Sequence, residues 1–204
     1  MLTILAMNES EIINKAIVIA NGEGFQALTI AKLAREFNVK PPSLYKHIQS
    51  LNDIYDELGI IFMQEIIQII HTNAFGLSGE MAIREVCNSF RSYALKNPGL
   101  YQSMQIIHIK RSPAYQEIAV SLIQLLSRVI EPYVQNQAKI HAIRFLRCIL
   151  HGFIDLEVQN GFGLPEDIDT SFKLAPWFII LSIFVGLAYF FIWLDFFSPL
   201  HILL

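Results

Sequence analysis

The apolar residues of this chain recur three or four positions apart along most of its length, and glycine or proline interrupts the pattern. Such spacing places apolar side chains on one face of a helix. Sustained alternation of apolar and polar residues, which would favour strands, does not occur in the sequence. An all-α fold is therefore predicted. Helices are expected at residues 12–21, 30–37, 41–47, 53–71, 80–97, 99–109, 113–134 and 136–160, with a last one beginning at 166–169.

The composition excludes a disordered chain, but it is uneven. Of the 204 residues, 53% are hydrophobic and 16% are charged, which is too apolar a balance for global disorder. The excess lies in residues 174–204, where 24 of 31 residues are apolar and only Asp195 is charged. Without this tail, the chain has the composition of an ordinary globular domain.

Three interpretations of the apolar tail stay open. Residues 174–194 carry no charge, and a helix of this length spans roughly 30 Å, the thickness of a bilayer core. The tail is a membrane anchor with a cytoplasmic N-terminus, a dimerisation helix buried on all sides, or out-of-frame translation that replaces the native end. The composition changes abruptly after Lys173, inside an expected helix, which favours the last interpretation.

The cysteines and the N-terminus indicate a cytoplasmic protein. Cys87 and Cys148 are too few for a disulfide framework and have no partners at zinc-site spacing. Both are therefore expected to be buried free thiols. Residues 1–6 lack the basic region of a signal peptide and are expected to add nothing to the fold. Met7 offers a second possible start, beside Met1.

Residues 29–48 have the features of a helix-turn-helix. Thr29 is a suitable N-cap for the first helix, since its hydroxyl can accept from a free N–H group. Asn38 tolerates the positive φ of a tight turn. Pro41 and Pro42 suit the first turn of the second helix, where no intrahelical N–H donor is needed.

This region also differs in charge from the rest of the chain. Residues 29–50 carry a net charge of +3, whereas the whole chain carries −3. The charged residues there are Lys32, Arg35, Glu36, Lys40 and Lys46. Charge and spacing alone leave two possibilities equally open, a DNA-binding motif and a plain αα-hairpin with solvated lysines.

The sequence around this motif resembles the DNA-binding domain of the TetR family. The matching runs are INKA at 13–16, GFQALTI at 24–30, LAREFNV at 33–39 and PSLYKHI at 42–48. The most specific of them is the Ser-Leu-Tyr-Lys-His run at residues 43–47, at its distance from the Gly-Phe element. The resemblance covers about residues 9–70 and implies binding to double-stranded DNA.

The resemblance implies roles for eight residues. The helix cap Thr29 is expected to contact a phosphate, and so are three residues that contact the DNA backbone, Tyr45, Lys46 and His47. The groove-facing positions are Lys40, Pro41, Pro42 and Ser43. Because Pro41 stands where a polar side chain is common, direct readout is expected to rest on Lys40 and Ser43. Leu51 replaces a frequent lysine, which removes one phosphate contact.

The second half of the chain resembles the C-terminal regulatory domain named after the letters WHG. In the run LHGFIDLE at 150–157, His151 and Gly152 match the motif and Leu150 replaces its tryptophan. The resemblance implies a small-molecule effector and a homodimer formed by helix 136–160 and whatever follows Glu166. The candidate pocket residues are Phe90, Tyr101, Met104, His108, Phe145, His151 and Glu157. The expected domains are 7–70 for DNA binding, 78–172 for regulation and dimerisation, and 173–204 for the tail.

The sequence carries no motif of a catalytic, cofactor or metal site. It lacks H-E-x-x-H, G-x-S-x-G, a P-loop and a dinucleotide fingerprint. His151 shares a helix face with Asp155, but a core histidine explains this position more simply than a metal ligand. We expect a cytoplasmic, ligand-responsive repressor that acts as a homodimer on an inverted repeat. One alternative is a DNA-binding sensor anchored in a membrane by residues 174–194. Another is an all-α enzyme or carrier, which only the candidate pocket supports.

Overall fold

The computed structural model describes residues 7–106, 109–134, 138–178 and 180–181. In these ranges all regular secondary structure is helical, which confirms the predicted all-α fold. The helices are α1 Glu9–Gly22, α2 Ile30–Glu36, α3 Pro41–Leu44, α4 Leu51–Asn73, α5 Gly79–Lys96, α6 Pro98–Gln105, α7 Pro113–Ile130, α8 Ala138–Val158 and α9 Ile168–Phe172. A 3₁₀ turn at Phe25–Ala27 joins α1 to α2.

The chain divides into two compact units. The first holds residues up to Thr72 together with Ser92–Leu122, and the second holds Asn73–Arg91 together with residues from Ile123 onward. The unit that carries the predicted helix-turn-helix therefore also contains α6 and the beginning of α7. The division into domains at 7–70, 78–172 and 173–204 stays a prediction.

The core of the first unit is built from the apolar faces that the sequence spacing indicates. Aromatic rings also pack in this core: the ring centroid of Phe62 lies 5.1 Å from that of Tyr93 and 5.8 Å from that of Tyr101. Its fully buried side chains include Ile12, Ala16, Ala20, Leu33, Leu44, Ile54, Leu58, Phe62 and Tyr101. Because α1, α2 and α4 all contribute to this core, the short helices of the motif have a fixed support.

In the second unit, Arg91 of α5 joins α8 to α9. Its guanidinium donates to both carboxylate oxygens of Glu157 and, at 2.7 Å, to Asp169 Oδ1. The guanidinium carbon also lies 4.7 Å from the centroid of the Phe172 ring. Charge-assisted, bidentate bonds of this kind are short and geometrically specific. Arg91 therefore fixes the start of α9 relative to α5 and α8.

Several local expectations need correction. Helix α3 ends at Leu44 and not at residue 47, because the N–H groups of His47 and Ile48 both bond to the Leu44 carbonyl and close a turn. Helices α6 and α7 also end earlier than predicted, at Gln105 and Ile130. Of the two cysteines, Cys87 is buried as expected but Cys148 is exposed, since it lies on the outward face of α8.

The apolar tail is described only in part. Among the described residues, no helix is both long enough and apolar enough to cross a bilayer. Most of the predicted span at 174–194 lies outside the described residues, as do residues 1–6. The three interpretations of the tail therefore stay open.

Candidate nucleic-acid interface

Helix α2 begins at the side-chain cap that the sequence predicts. Thr29 has an extended backbone with φ −133° and ψ 156°, and its Oγ1 accepts from the Lys32 N–H at 3.1 Å. A capping hydroxyl satisfies one of the N–H groups that the first helical turn leaves without an intrahelical acceptor. Thr29 is itself exposed, so this end of α2 faces solvent.

The turn between α2 and α3 is closed by two backbone hydrogen bonds. The Val39 N–H donates to the Ala34 carbonyl at 2.9 Å, and the Asn38 N–H donates to the Arg35 carbonyl at 3.0 Å. Asn38 has φ 54°. This pair of bonds with a left-handed residue is the Schellman ending of a helix, which glycine or asparagine favours. Asn38 therefore takes the left-handed position in this turn, where glycine is common.

Helix α3 presents its polar residues outward from two buried apolar anchors. Leu44 is fully buried and Ile48 nearly so. Lys40, Pro41, Pro42 and Lys46 are exposed, Tyr45 is 53% exposed, and Ser43 and His47 are partly exposed. All eight predicted DNA-contacting residues, Thr29 included, thus have at least part of their surface in solvent.

The positive charge of the motif is not all available to a ligand. Lys32 Nζ lies 2.9 Å from Glu23 Oε2 and 3.7 Å from Glu36 Oε1. The hydrogen bond to Glu23 is the main cause of the raised pKa of Lys32. By contrast, Lys40 and Lys46 form no ion pair within the described part of the chain. Lys40, the N-cap of α3, and Lys46, in the turn after α3, therefore present positive charge to solvent.

Helix α4 holds the motif from behind through Tyr55. The Tyr55 hydroxyl donates to the Leu28 carbonyl at 3.1 Å, and its ring centroid lies 4.8 Å from that of Phe25. Burial raises the pKa of Tyr55. Helix α4 itself is capped by Ser50, whose Oγ accepts from the Asp53 N–H at 3.2 Å. Because Leu28 immediately precedes the Thr29 cap, α4 is tied directly to the start of α2.

The candidate pocket residues are distributed over both units. Tyr101 and Met104 belong to the first unit, where Tyr101 is buried in the core. The second unit brings Phe90 and His151 together as an edge-to-face pair, with ring centroids 5.3 Å apart. Burial, followed by the charge of Arg147, lowers the pKa of His151 to about 4.

The remaining three pocket candidates have different surroundings. Phe145 is 61% exposed, and Glu157 is engaged by Arg91. His108 lies outside the described residues. Two further residues that organise the first unit, Asn21 and Arg111, were not identified from the sequence, because their partners are distant along the chain.

Comparison with known proteins agrees with this geometry. A family model described as the C-terminal domain of tetracyclin repressor-like proteins matches residues 83–175. The uncharacterised HTH-type transcriptional regulator YobS of Bacillus subtilis is 30% identical over 172 residues, covering 84% of this chain and 90% of YobS. The chain belongs to the TetR family. A second relative, the uncharacterised HTH-type transcriptional regulator Rv0681 of Mycobacterium tuberculosis, is 28% identical over 167 residues, or 81% of this chain and 75% of Rv0681.

Solved structures show the same fold. SCO7222, a TetR from Streptomyces coelicolor, superposes with a TM-score of 0.66 at 16% identity and covers 87% of this chain and 98% of its own. The TetR-family protein ActR from the same organism gives a TM-score of 0.63 at 18% identity, covering 88% and 98%. As a TetR-family member, this chain is a DNA-binding transcriptional regulator and not an enzyme.

Proposed function

We propose that this TetR-family regulator is a cytoplasmic, homodimeric repressor that binds an inverted repeat and releases it when a small molecule binds. The observation that carries the proposal is the surface of α3 and its following turn. Exposed Lys40, Tyr45 and Lys46 stand there above the buried anchors Leu44 and Ile48. A short helix that is anchored on its buried side and carries lysines without ion pairs on its exposed side suits insertion into the major groove.

Within this surface, two groups of residues have different tasks. Lys40, the N-cap of α3, and Ser43, within the helix, contact base edges beside Pro41 and Pro42 and set the sequence preference. Thr29, Tyr45, Lys46 and His47 contact phosphates and set the register of the protein on the duplex. The ion-paired Lys32 takes no part, since Glu23 and Glu36 hold it.

The outward face of α8 supports a homodimer. Phe145, Cys148, Gly152 and Leu156 follow one another at intervals of three or four residues, and all four are exposed. Within the described ranges of the chain, a Cβ atom added at Gly152 would meet no atom of another element within 4 Å, so this glycine leaves room for a neighbouring helix. A stripe of exposed apolar residues indicates a protein interface. A symmetric pair of motifs then requires an inverted repeat.

Ligand response is proposed by analogy with structural neighbours. A TetR variant from Acinetobacter baumannii was solved in complex with minocycline, and ActR in complex with (S)-DNPA. In this chain, the adjacent rings of Phe90 and His151 offer an aromatic surface for such a molecule. The other pocket candidates, Tyr101, Met104, His108, Phe145 and Glu157, stay predictions from the sequence.

The decisive test compares two lysines of the motif that carry the same charge. Binding of the full chain to the DNA upstream of its own gene is measured by fluorescence anisotropy over a range of salt concentrations. Lys46→Ala should weaken binding to all sequences similarly and reduce the salt slope by about one. Lys32→Ala removes the same charge from an internal ion pair, and should leave that slope near the wild-type value.

Two further results bear on the proposal. Changing Lys40 or Ser43 should alter sequence preference, because these residues contact bases. Equal slope changes in Lys46→Ala and Lys32→Ala, or a loss of sequence preference in Lys46→Ala, would contradict the assignments. Expression from the chain's own promoter should rise when its gene is deleted, whereas a fall would show an activator.

A further inference from the structure

Arg111, between α6 and α7, is enclosed within the first unit. Its Nη2 donates to three carbonyls at the C-terminal end of α6, those of Ser103, Met104 and Ile106, at 2.8, 3.2 and 2.9 Å. Its Nη1 lies 3.4 Å from Asp56 Oδ1. The side chains of Arg111 and Asp56 are only 13% and 10% exposed. Arg111 therefore neutralises a buried carboxylate of α4 while it caps the end of α6.

The same junction includes the start of α7. Asp56 Oδ2 accepts from the Ser112 N–H at 3.2 Å. Ser112 Oγ in turn accepts from the Tyr115 N–H at 3.1 Å, and the Tyr115 hydroxyl donates to the Met104 carbonyl at 2.7 Å. The Arg111 guanidinium carbon lies 3.9 Å from the centroid of the Tyr115 ring. One partly buried network thus links α4, α6 and α7.

The other end of α6 is attached to α1. Asn21 Oδ1 accepts from the N–H groups of Gly99 and Leu100 at 2.8 and 3.3 Å, so a residue of α1 caps the N-terminus of α6. A Cβ atom at Gly99 would lie 2.4 Å from the backbone carbon of Ala20. Helix α6 is therefore held against the DNA-binding part of the unit at both of its ends.

Asp56 has a direct route to the recognition motif. Its neighbour in α4, Tyr55, binds the Leu28 carbonyl just before the Thr29 cap. A buried carboxylate without its cation is costly, so Asp56 has to follow Arg111 if the end of α6 moves. Because Tyr55 and Asp56 are consecutive residues of one hydrogen-bonded helix, a shift of α4 at Asp56 moves Tyr55 as well.

We propose that Arg111 is a positioning residue that sets the orientation of α4, and through Tyr55 that of the α2–α3 motif, by joining Asp56 to the end of α6. The inference rests on the proposed dimeric repressor. In a dimer, the separation of the two recognition helices depends on how each α4 is held. The spacing of the half-sites, and not their sequence, is therefore the property that Arg111 controls.

The test selects binding sites for the full-length protein from a library of random double-stranded DNA. Asp56→Asn keeps an oxygen that accepts from Ser112 but removes the charge that Arg111 neutralises. We expect the variant to recover the wild-type half-site sequence with a broader distribution of spacings. Its discrimination between the preferred spacing and one base pair more should fall by about tenfold.

Two companion variants make the result interpretable. Arg111→Lys keeps the charge, but a lysine ammonium cannot reach Asp56 and three carbonyls together, so the same change of spacing is expected. If Asp56→Asn does not fold, as judged by circular dichroism, Arg111→Lys decides. Glu65→Gln is the matched control, because it makes the same chemical change further along α4, where the carboxylate accepts from the Tyr93 hydroxyl at 2.6 Å.

The outcomes separate this inference from the proposed function. If the wild-type protein selects no inverted repeat, the dimeric repressor fails and the inference fails with it. If the wild type selects an inverted repeat and both variants keep its spacing, only the inference is overturned. Loss of the half-site sequence itself would also overturn it, since Arg111 would then support the fold of the motif and not its orientation.

Discussion

Each of the two compact units buries an arginine between helices, but the two arginines are neutralised differently. Arg91, in the second unit, meets two carboxylates, those of Glu157 and Asp169. Arg111, in the first, meets the single carboxylate of Asp56 and three carbonyls at a helix end. Both guanidinium groups also lie against an aromatic ring. The planar guanidinium group thus joins two carboxylates from different helices in the second unit, and it caps a helix end in the first.

The outward faces of the units differ as well. Around α3 the first unit exposes lysines and a tyrosine, which suit a phosphate backbone. Along α8 and after α9, the second unit exposes large apolar side chains, including Phe145, Leu156, Trp177 and Phe178. Similar internal bracing therefore supports one surface that suits DNA and another that suits a second protein chain.

The largest effect is expected from removing the arginine of the second unit. Arg91→Met leaves the carboxylate of Glu157, which is only 13% exposed, without its cation, and an unpaired buried charge is strongly destabilising. Asp169 is 66% exposed, so the loss of its ion pair adds little. The free energy of unfolding, measured by urea denaturation, should fall by about 3 kcal/mol. Arg84→Ala is the control, because Arg84 pairs with Glu80 at the exposed surface of the same helix, and its loss should cost about 0.5 kcal/mol or less. Equal losses in the two variants would show that the Arg91 cluster does not brace the unit.

A second comparison uses one glycine from each unit. Gly99→Ala forces a Cβ atom to within 2.4 Å of the α1 backbone, and should lower the free energy of unfolding by about 1–3 kcal/mol. Gly152→Ala meets nothing within 4 Å among the residues that the structure describes and should raise it by about 0.5–1 kcal/mol. Sedimentation of Gly152→Ala should show a weaker dimer if this face meets a second copy. A neutral Gly99→Ala would mean that α1 and α6 do not approach so closely.

The free energy of unfolding should depend on pH through His151 of the second unit. Its pKa is about 4 in the folded protein and about 6.5 in an unfolded chain. Between these values the unfolded chain binds a proton that the folded chain does not, so the free energy of unfolding falls as the pH falls. The slope from this group is at most about 1.4 kcal/mol per pH unit. His151→Gln should flatten the profile of unfolding free energy between pH 6.5 and 4, and an unchanged profile would count against the burial of this ring.

The smallest effects concern two helix caps. Thr29→Ala in the first unit and Asp167→Ala in the second each remove an acceptor for a first-turn N–H group. Each should cost about 1 kcal/mol of unfolding free energy. Only Thr29→Ala should also weaken DNA binding, as anisotropy can measure. If Asp167→Ala weakened DNA binding equally, the loss would reflect stability and not a phosphate contact.

The parts of the fold that depend on neighbours in sequence could be predicted. The helices follow from apolar spacing, the start of α2 from Thr29, and the turn after it from Asn38, because caps and turns need only residues within five positions. The length of α3 could not be predicted in this way. Whether the helix continues after Leu44 depends on how Ile48, at the end of the turn that follows, packs into the core.

The bracing contacts could not be predicted, because they join residues far apart in sequence. Asp56 and Arg111 are separated by 55 positions, Arg91 and Glu157 by 66, and Asn21 and Gly99 by 78. Charge, size and periodicity at one position do not indicate a partner at such distances. For the same reason, the sequence did not show that the candidate pocket residues belong to two different units.

The attachment of α6 to α1 and α4 has a consequence for the order of events during synthesis. When the chain has been synthesised only as far as Thr72, the Asn21 amide and the Asp56 carboxylate have no partners yet, since Gly99 and Arg111 are still to be made. The recognition motif is therefore translated well before its bracing is complete. A nascent or truncated chain that ends after α4 carries the complete α2–α3 sequence and the Tyr55–Leu28 bond, but it lacks the contacts that attach α1 and α4 to α6.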